Sequence, residues 1–149
     1  MDTPELPETP AGSGDVDCQR PLPPAAIAGL EHFNAGRYFE AHEELESAWR
    51  AEKGPIRELY RGILQVGVGY YHVQRGNYRG ALKMFRRARQ WLDLFPDECC
   101  GVNLARLRHD YRQIEAELLR ERPIQPAAFE FQPVQYRIVA DGKPASISK

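Results

Sequence analysis

The chain has 149 residues, of which 42% are hydrophobic and 28% charged, and its formal net charge is −1. This composition predicts one folded domain and excludes a chain that is disordered throughout. The small charge argues against a general nucleic-acid binder. With no apolar run long enough for a transmembrane helix and no recognisable secretory signal, we expect a cytoplasmic protein without membrane contact.

Proline marks the expected limits of the folded domain, because it lacks an amide donor and interrupts helices. Of the 12 prolines, six lie in residues 1–24 and four in residues 123–149. We therefore predict a disordered, acidic, proline-rich leader over 1–24, a helical domain over 25–122 and an extended tail over 123–149. In the tail, residues 129–139 alternate weakly and are expected to form an extended arm or a short strand.

Apolar residues at helical spacing predict five helices in the domain. The expected helices cover residues 25–34, 37–52, 56–75, 78–95 and 103–121. Glycine and proline lie in the turns between them, and Asn103 is a suitable N-cap for the last helix.

The turn after the first predicted helix is echoed 40 positions later. Gly36, Tyr38 and Ala41 correspond to Gly76, Tyr78 and Ala81. This pattern is similar to a tetratricopeptide repeat, although two units are too few for a free-standing solenoid. We predict an all-α fold, a compact bundle of about five helices built from two tetratricopeptide-like helical hairpins plus a closing helix.

The second predicted helix carries charged side chains on its apolar side. At about 100° per residue, His42 and Glu46 fall inside the arc that runs from Phe39 to Trp49, and Glu43 lies at its edge. A carboxylate in such a place is costly unless it is paired or bound to a metal. These residues are therefore the first candidates for a functional site.

The third predicted helix is largely apolar but carries a polar stripe with glycines. The stripe consists of Glu58, Arg61, Gln65, Gly69 and His72, with Gly62 at its border. Glycine removes bulk, so the stripe suggests a close helix–helix approach. If the second and third helices pack as antiparallel neighbours, the two polar groups face each other.

Three blocks of the sequence resemble the signature of the DUF309 family. They are residues 33–49, which contain His42-Glu43-x-Leu45-Glu46-x-x-Trp49, residues 64–81 and residues 101–103. The resemblance covers about residues 25–122 and implies a small all-α fold. The family has no established activity and has sometimes been labelled a predicted metal-dependent hydrolase because of its His-Glu motif.

One interpretation of the polar group is a metal site. His42 and Glu46, four residues apart, would bind one ion from a single helix face, with His72 as a third ligand and Glu43 as general base. Mixed nitrogen and oxygen ligands suit zinc, manganese or iron. The side chains expected around this site are Arg61, Gln65 and Trp49.

Two other interpretations involve no catalysis. The first is a structural hydrogen-bond network of these polar side chains in which Arg61 neutralises Glu46. Whether the cluster is a metal site or a network, Glu46→Ala is expected to be destabilising because it leaves a buried partner unpaired. Alternatively, the hairpins form a protein-interaction or homo-oligomerising module. Its groove would hold a peptide, such as the arm 129–139 of the same or a neighbouring chain, between aromatic walls of Tyr60, Tyr70 and Tyr71. The sequence leaves the choice between enzyme and binding module open.

The remaining features carry ordinary expectations. The three cysteines, Cys18, Cys99 and Cys100, are expected to be reduced thiols, because an odd count without a C-x-x-C pair indicates neither a disulfide framework nor a zinc finger. The fourth predicted helix has a basic surface, expected to be a solvated face, formed by Arg79, Lys83, Arg86, Arg87 and Arg89.

Overall fold

The computed structural model describes residues 16–120 and 125–139. Within them, the helices are α1 (Pro24–Asn34), α2 (Tyr38–Ala51), α3 (Arg57–Gln74), α4 (Tyr78–Leu92) and α5 (Leu104–Leu118). A small antiparallel hairpin of β1 (Glu98–Cys99) and β2 (Val102–Asn103) lies between α4 and α5. A short 3-10 helix, Pro126–Ala128, precedes the arm. The predicted all-α bundle of about five helices is confirmed.

The third helix is the centre of the bundle. It packs against α2 on one side and α4 on the other, while α1 covers α2 and α5 covers α4. Most residues of α3 are buried, including both members of its charged pair, Glu58 and Arg61. A helix that is apolar almost all round needs neighbours on all sides, which explains its central position. No helix in the described part of the chain is both long and apolar enough to cross a membrane.

The helix boundaries follow the expected turn and capping signals. Gly36 and Gly76 adopt positive φ angles of 80° and 76° in the turns after α1 and α3. The side chain of Asn103 accepts a hydrogen bond from the amide of Arg106 at 3.0 Å and so caps α5, as predicted. Asn77 caps α4 in the same way.

The stripe glycines of α3, Gly62 and Gly69, permit a close helix–helix approach, as predicted, but the helix that they contact is α4 rather than α2. A Cβ atom on Gly62 would lie 2.5 Å from Leu92, and one on Gly69 would lie 2.8 Å from Cδ1 of Phe85. Both neighbours are fully buried. The two helices are therefore packed too closely for a methyl group at either position.

We expect Gly69→Ala to lower the free energy of unfolding by about 1–3 kcal/mol, because the ring of Phe85 is enclosed and cannot move aside cheaply. Urea denaturation measures the effect. Gly54→Ala is the matched control, since its Cβ would meet only the end of the Glu52 side chain. Equal stability of the two variants would contradict the close packing of α3 on α4.

Part of the predicted leader is packed against the bundle. Leu22 is buried, and Arg20 forms an ion pair with Glu52 at 2.7 Å. This hydrogen-bonded pairing lowers the pKa of the Glu52 carboxyl group. The expectation of disorder through residue 24 therefore does not hold for residues 16–23, because apolar Leu22 finds a place in the core. Residues 1–15 lie outside the described part of the chain, as do residues 121–124 and 140–149.

The expectation of three reduced thiols is wrong for two of the cysteines. Cys18 and Cys99 form a disulfide across 81 positions, and only Cys100 is free and buried. The main chain supports the link, since the amide of Cys100 donates to the carbonyl of Cys18 at 2.7 Å. The packed leader brings Cys18 beside the β1–β2 hairpin, an approach that spacing in the sequence does not reveal.

Candidate functional site

His42 is buried on α2, as its place in the apolar arc predicts. The histidine is 8% exposed, and neither of its ring nitrogens has a hydrogen-bond partner among the described residues. Burial lowers the pKa of His42, while the charges of Glu46 and Glu43 act in the opposite direction. Because burial dominates, the imidazole is neutral in the folded protein near pH 7.

This lowered pKa makes stability depend on pH. Below about pH 6.5 the unfolded chain takes up a proton at His42 that the folded protein resists, so stability falls as pH falls, by at most about 1.4 kcal/mol per pH unit. We expect His42→Leu to reduce this slope between pH 7.5 and 5.5, measured by urea denaturation. Exposed His109→Leu is the control. An unchanged slope in His42→Leu would show that His42 titrates normally.

The charged residues of α3 form a buried ion pair of their own. Nε of Arg61 donates to Oε1 of Glu58 at 2.7 Å, and both side chains are 1% exposed. The guanidinium of Arg61 lies over the Trp91 ring, 3.9 Å from its centroid, and 5.5 Å from that of Trp49. Two indole rings therefore flank the cation in the interior, where such contacts are strongest. Gln65, one turn further along, is also buried.

Two residues of the predicted metal site have other partners in the structure. Glu46 pairs with Arg50 on the surface of α2 at 2.9 Å, rather than with Arg61. His72 lies near the end of α3, where its Nδ1 is 3.4 Å from the side-chain nitrogen of Asn77. Across residues 16–120 and 125–139, no three His, Cys, Asp or Glu side chains are grouped so that they could hold a metal ion.

The predicted pairing of Glu46 with Arg61 is therefore wrong. Arg61 instead pairs with a carboxylate three residues away on its own helix, that of Glu58. Loss of the Glu46 carboxylate removes a surface ion pair, worth about 0–1 kcal/mol, rather than stranding a buried charge. The Trp49 ring does lie near the Arg61 guanidinium.

The arm, residues 129–139, lies against the ends of two helical hairpins, α1–α2 and α3–α4. Asn34, the last residue of α1, holds its main chain with two hydrogen bonds. Nδ2 donates to the carbonyl of Val134 at 3.0 Å, and Oδ1 accepts from the amide of Val134 at 2.7 Å. The Val134 side chain is buried. A side-chain amide used in this way recognises extended main chain whatever its sequence.

Two phenylalanines of the arm contact equivalent positions of the two hairpins. The Phe131 ring packs on Tyr38 and Tyr70, with centroid distances of 5.9 and 4.6 Å. The Phe129 ring packs edge-on against Tyr78 at 6.0 Å. Tyr38 and Tyr78 occupy corresponding positions in the two similar turns, 40 residues apart. Phe129 and Phe131 are two residues apart, and side chains at that spacing lie on the same side of an extended segment. Each phenylalanine of the arm thus contacts one of these two tyrosines.

The groove walls differ from those expected. Of the three predicted wall tyrosines, Tyr70 contacts the arm. Tyr71 instead accepts a hydrogen bond from Arg75, and Tyr60 is buried in the core. The contact between Asn34 and the arm was not predicted. The correspondence of Tyr38 with Tyr78 across 40 positions is the sequence signal that could have identified these two residues. An open cavity of about 600 Å³ adjoins the arm and is lined by Gln74, Gln125, Pro126, Ala127, Phe129 and Phe131.

The far end of the arm is attached to the β1–β2 hairpin. The amide of Asn103 donates to the carbonyl of Gln135 at 2.8 Å, and the amide of Arg137 donates to the carbonyl of Gly101 at 2.9 Å. Val102 and Tyr136 form an antiparallel bridge. Gly101 has a φ of 83°, and a Cβ atom there would overlap the carbonyl oxygen of Arg137. Glycine is therefore required where the arm crosses the hairpin.

Comparison with known proteins gives a family for the segment that builds the groove. Residues 26–84 match the family model described as a domain of unknown function, DUF309. Over these residues the chain is similar to the DUF309 family. The DUF309 segment contains Asn34, Tyr38, Tyr70 and Tyr78 as well as His42, whereas α5 and the arm lie outside it.

Two relatives are similar to the same region. An uncharacterized protein of Aquifex aeolicus is 29% identical over 77 residues, which is 51% of this chain and 23% of the relative. The uncharacterized protein YpuF of Bacillus subtilis is 41% identical over 64 residues, which is 42% of this chain and 37% of the relative. The matches thus span well under half the length of either relative. The predicted DUF309 resemblance is confirmed, and the family description gives no activity.

Proposed function

We propose that the DUF309 segment of this chain is a binding module for extended peptides, whose groove is occupied here by the arm of the same chain. The observation that carries the proposal is the double hydrogen bond between the Asn34 side chain and the main chain of Val134. Main-chain hydrogen bonds of this kind give affinity for any extended segment, and pockets for alternate side chains give specificity.

The side chains of the arm indicate which peptides the groove prefers. Phe129 and Phe131 meet the aromatic walls, and Val134 is buried three residues later. Aromatic pairs add about 0.5–1.5 kcal/mol each beyond the area that they bury. A preferred ligand therefore has two aromatic residues separated by one position and an aliphatic residue three positions further on.

A labelled peptide with the sequence of residues 125–139 tests this proposal. The tethered arm has a high effective concentration, so the intact protein should bind the peptide weakly in fluorescence anisotropy. Phe131→Ala in the protein weakens the tethered arm, and we expect this variant to bind the peptide at least about tenfold more tightly. Adding Asn34→Ala should abolish this gain.

Two controls accompany the binding experiment. Ile138→Ala changes a residue of the arm that is 61% exposed and should behave like the parent protein. A peptide with alanine in place of both phenylalanines should not bind. Failure of the Phe131→Ala protein to bind the parent peptide, while its circular dichroism is unchanged, would refute the module.

The metal site remains a second proposal, favoured by one observation. Both ring nitrogens of buried His42 lack partners among the described residues, and Glu43 and Glu46 lie near enough to act on its pKa. Because no three candidate ligands are grouped among the described residues, these side chains do not fit a three-ligand site, and we derive no catalytic step from it. Glu43 as general base of a hydrolase belongs to this second proposal.

Metal content decides between a ligand and a structural role for His42. The protein is purified without chelator, incubated with zinc, manganese or iron, and analysed by plasma mass spectrometry beside His42→Ala. We expect no more metal in the parent than in the variant. Near-stoichiometric metal that is lost in His42→Ala would establish the metal site and justify a screen for hydrolase activity.

A further inference from the structure

The two hairpins carry opposite charges at corresponding positions. With the 40-residue offset of the echo, Glu43 of α2 corresponds to Lys83 of α4, and Glu46 corresponds to Arg86. The net charges of the two helices are also opposite in sign. Helix α2 has four glutamates and one arginine, whereas α4 has five basic residues and no acidic one. The two similar segments therefore differ in the sign of the charge that their second helices carry.

Most of these charges have no counterion in the part of the chain that the structure describes. Arg89 of α4 pairs with Glu115, and Glu46 of α2 pairs with Arg50. The other charged residues of both helices form no ion pair among the described residues, namely Glu40, Glu43 and Glu44 on α2 and Arg79, Lys83, Arg86 and Arg87 on α4. Each helix thus presents a surface of one sign.

Each surface also contains an apolar side chain. Phe39 is 46% exposed and precedes Glu43 by one helical turn. Leu82 of α4 is partly exposed and lies within a turn of Arg79 and Arg86. An apolar contact surrounded by charged residues is the usual arrangement of a protein–protein interface.

We propose that the acidic face of α2 binds the basic face of α4 in a second copy of this chain. The acidic face consists of Phe39, Glu40, Glu43 and Glu44, and the basic face of Arg79, Leu82, Lys83, Arg86 and Arg87. Both sets repeat at spacings of three and four residues, so two helices lying side by side bring opposite charges together over about two turns. The charge complementarity selects this pairing and disfavours like faces.

This self-association is separate from peptide binding. The arm contacts Tyr38 and Tyr78 at the first residue of α2 and of α4, whereas the charged faces run along the outer sides of these helices. Because one chain carries both faces, two copies can satisfy each other reciprocally or add further copies in a row. In either case association depends on ionic strength.

Sedimentation equilibrium of the full chain tests the proposal. We expect concentration-dependent association in 50 mM NaCl whose dissociation constant weakens at least about tenfold in 500 mM NaCl, because salt screens the exposed charges. An acidic-face variant, Glu40→Lys with Glu43→Lys, and a basic-face variant, Lys83→Glu with Arg86→Glu, should each sediment as a monomer. Circular dichroism verifies that both are folded.

Mixing the two reversed variants gives the sharpest readout. The acidic-face variant then has a basic α2 that complements the acidic α4 of the other variant, and their unaltered faces also match. An equimolar mixture should therefore recover association to within about threefold of the parent. The controls are single reversals on exposed residues elsewhere, Glu31→Lys and Lys53→Glu, which should leave the parent behaviour unchanged.

Three results would overturn the proposal. The first is a parent protein that stays monomeric in low salt, and the second is a mixture of reversed variants that fails to associate. The third is association that survives reversal of α2 but not of α4. In that case α4 binds another acidic segment, for which residues 1–15, with Asp2, Glu5, Glu8 and Asp15, are the first candidate.

Discussion

Replacing Arg61 by alanine is expected to lower the free energy of unfolding by about 3–5 kcal/mol. The carboxylate of Glu58 would remain in the interior without its cation, at a place where both side chains are 1% exposed. The contact between the guanidinium and the Trp91 ring would be lost as well. Urea denaturation followed by tryptophan fluorescence measures the change, since two indoles flank the replaced group.

Two further variants distinguish the effect of breaking the buried ion pair from the effect of removing a charge elsewhere. Glu46→Ala removes a carboxylate whose partner Arg50 is 63% exposed, and we expect a loss within about 1 kcal/mol. Arg61→Met combined with Glu58→Leu removes both buried charges together and should be more stable than Arg61→Ala alone. A loss below about 1 kcal/mol in Arg61→Ala would contradict the buried pair.

Loss of the disulfide is the second large effect that we expect. Cys18→Ser should lower the free energy of unfolding by about 4 kcal/mol, because the bond closes a loop of 81 positions and so restricts the unfolded chain. A reducing agent should destabilise the parent protein by a similar amount and leave Cys18→Ser unaffected. The midpoint of urea denaturation with and without reductant measures both changes.

Cys100 provides the matched control for the disulfide. It is adjacent to Cys99 in sequence but is a buried thiol, and burial raises its pKa to about 11. The thiol therefore stays protonated near neutral pH and is a poor nucleophile for exchange. Cys100→Ser should retain the response to reductant. Parent protein that unfolds at the same urea concentration in both conditions would show that Cys18 and Cys99 are not linked.

The fold was largely predictable because its signals are local. Turn glycines at positions 36 and 76 and helical spacing of apolar residues located the five helices. The glycines of α3 indicated a close helix–helix contact but did not identify α4 as the neighbour. Burial of His42 followed from the helical arc. Each of these inferences depends on neighbours within a few residues, which the sequence displays directly.

The site was less predictable because its contacts are distant in sequence. Asn34 and Val134 are 100 positions apart, and Cys18 and Cys99 are 81 apart. Such pairs depend on how the terminal segments pack against the helices. Periodic patterns in the sequence do not indicate that packing. The partner of Arg61 was misassigned for a different reason. The helical stripe contains both Arg61 and Glu58, and these two residues pair on the same helix instead of across to α2.

The β1–β2 hairpin joins both ends of the described chain. Cys99 is bonded to Cys18, and Gly101 accepts a hydrogen bond from Arg137 two residues before the described arm ends. A mechanical load applied to these two ends would pass through the hairpin, along one covalent link and a few hydrogen bonds. The arm would detach first. Force would then pass along the main chain through α5, whereas α1 to α4 lie within the loop closed by the disulfide and are bypassed.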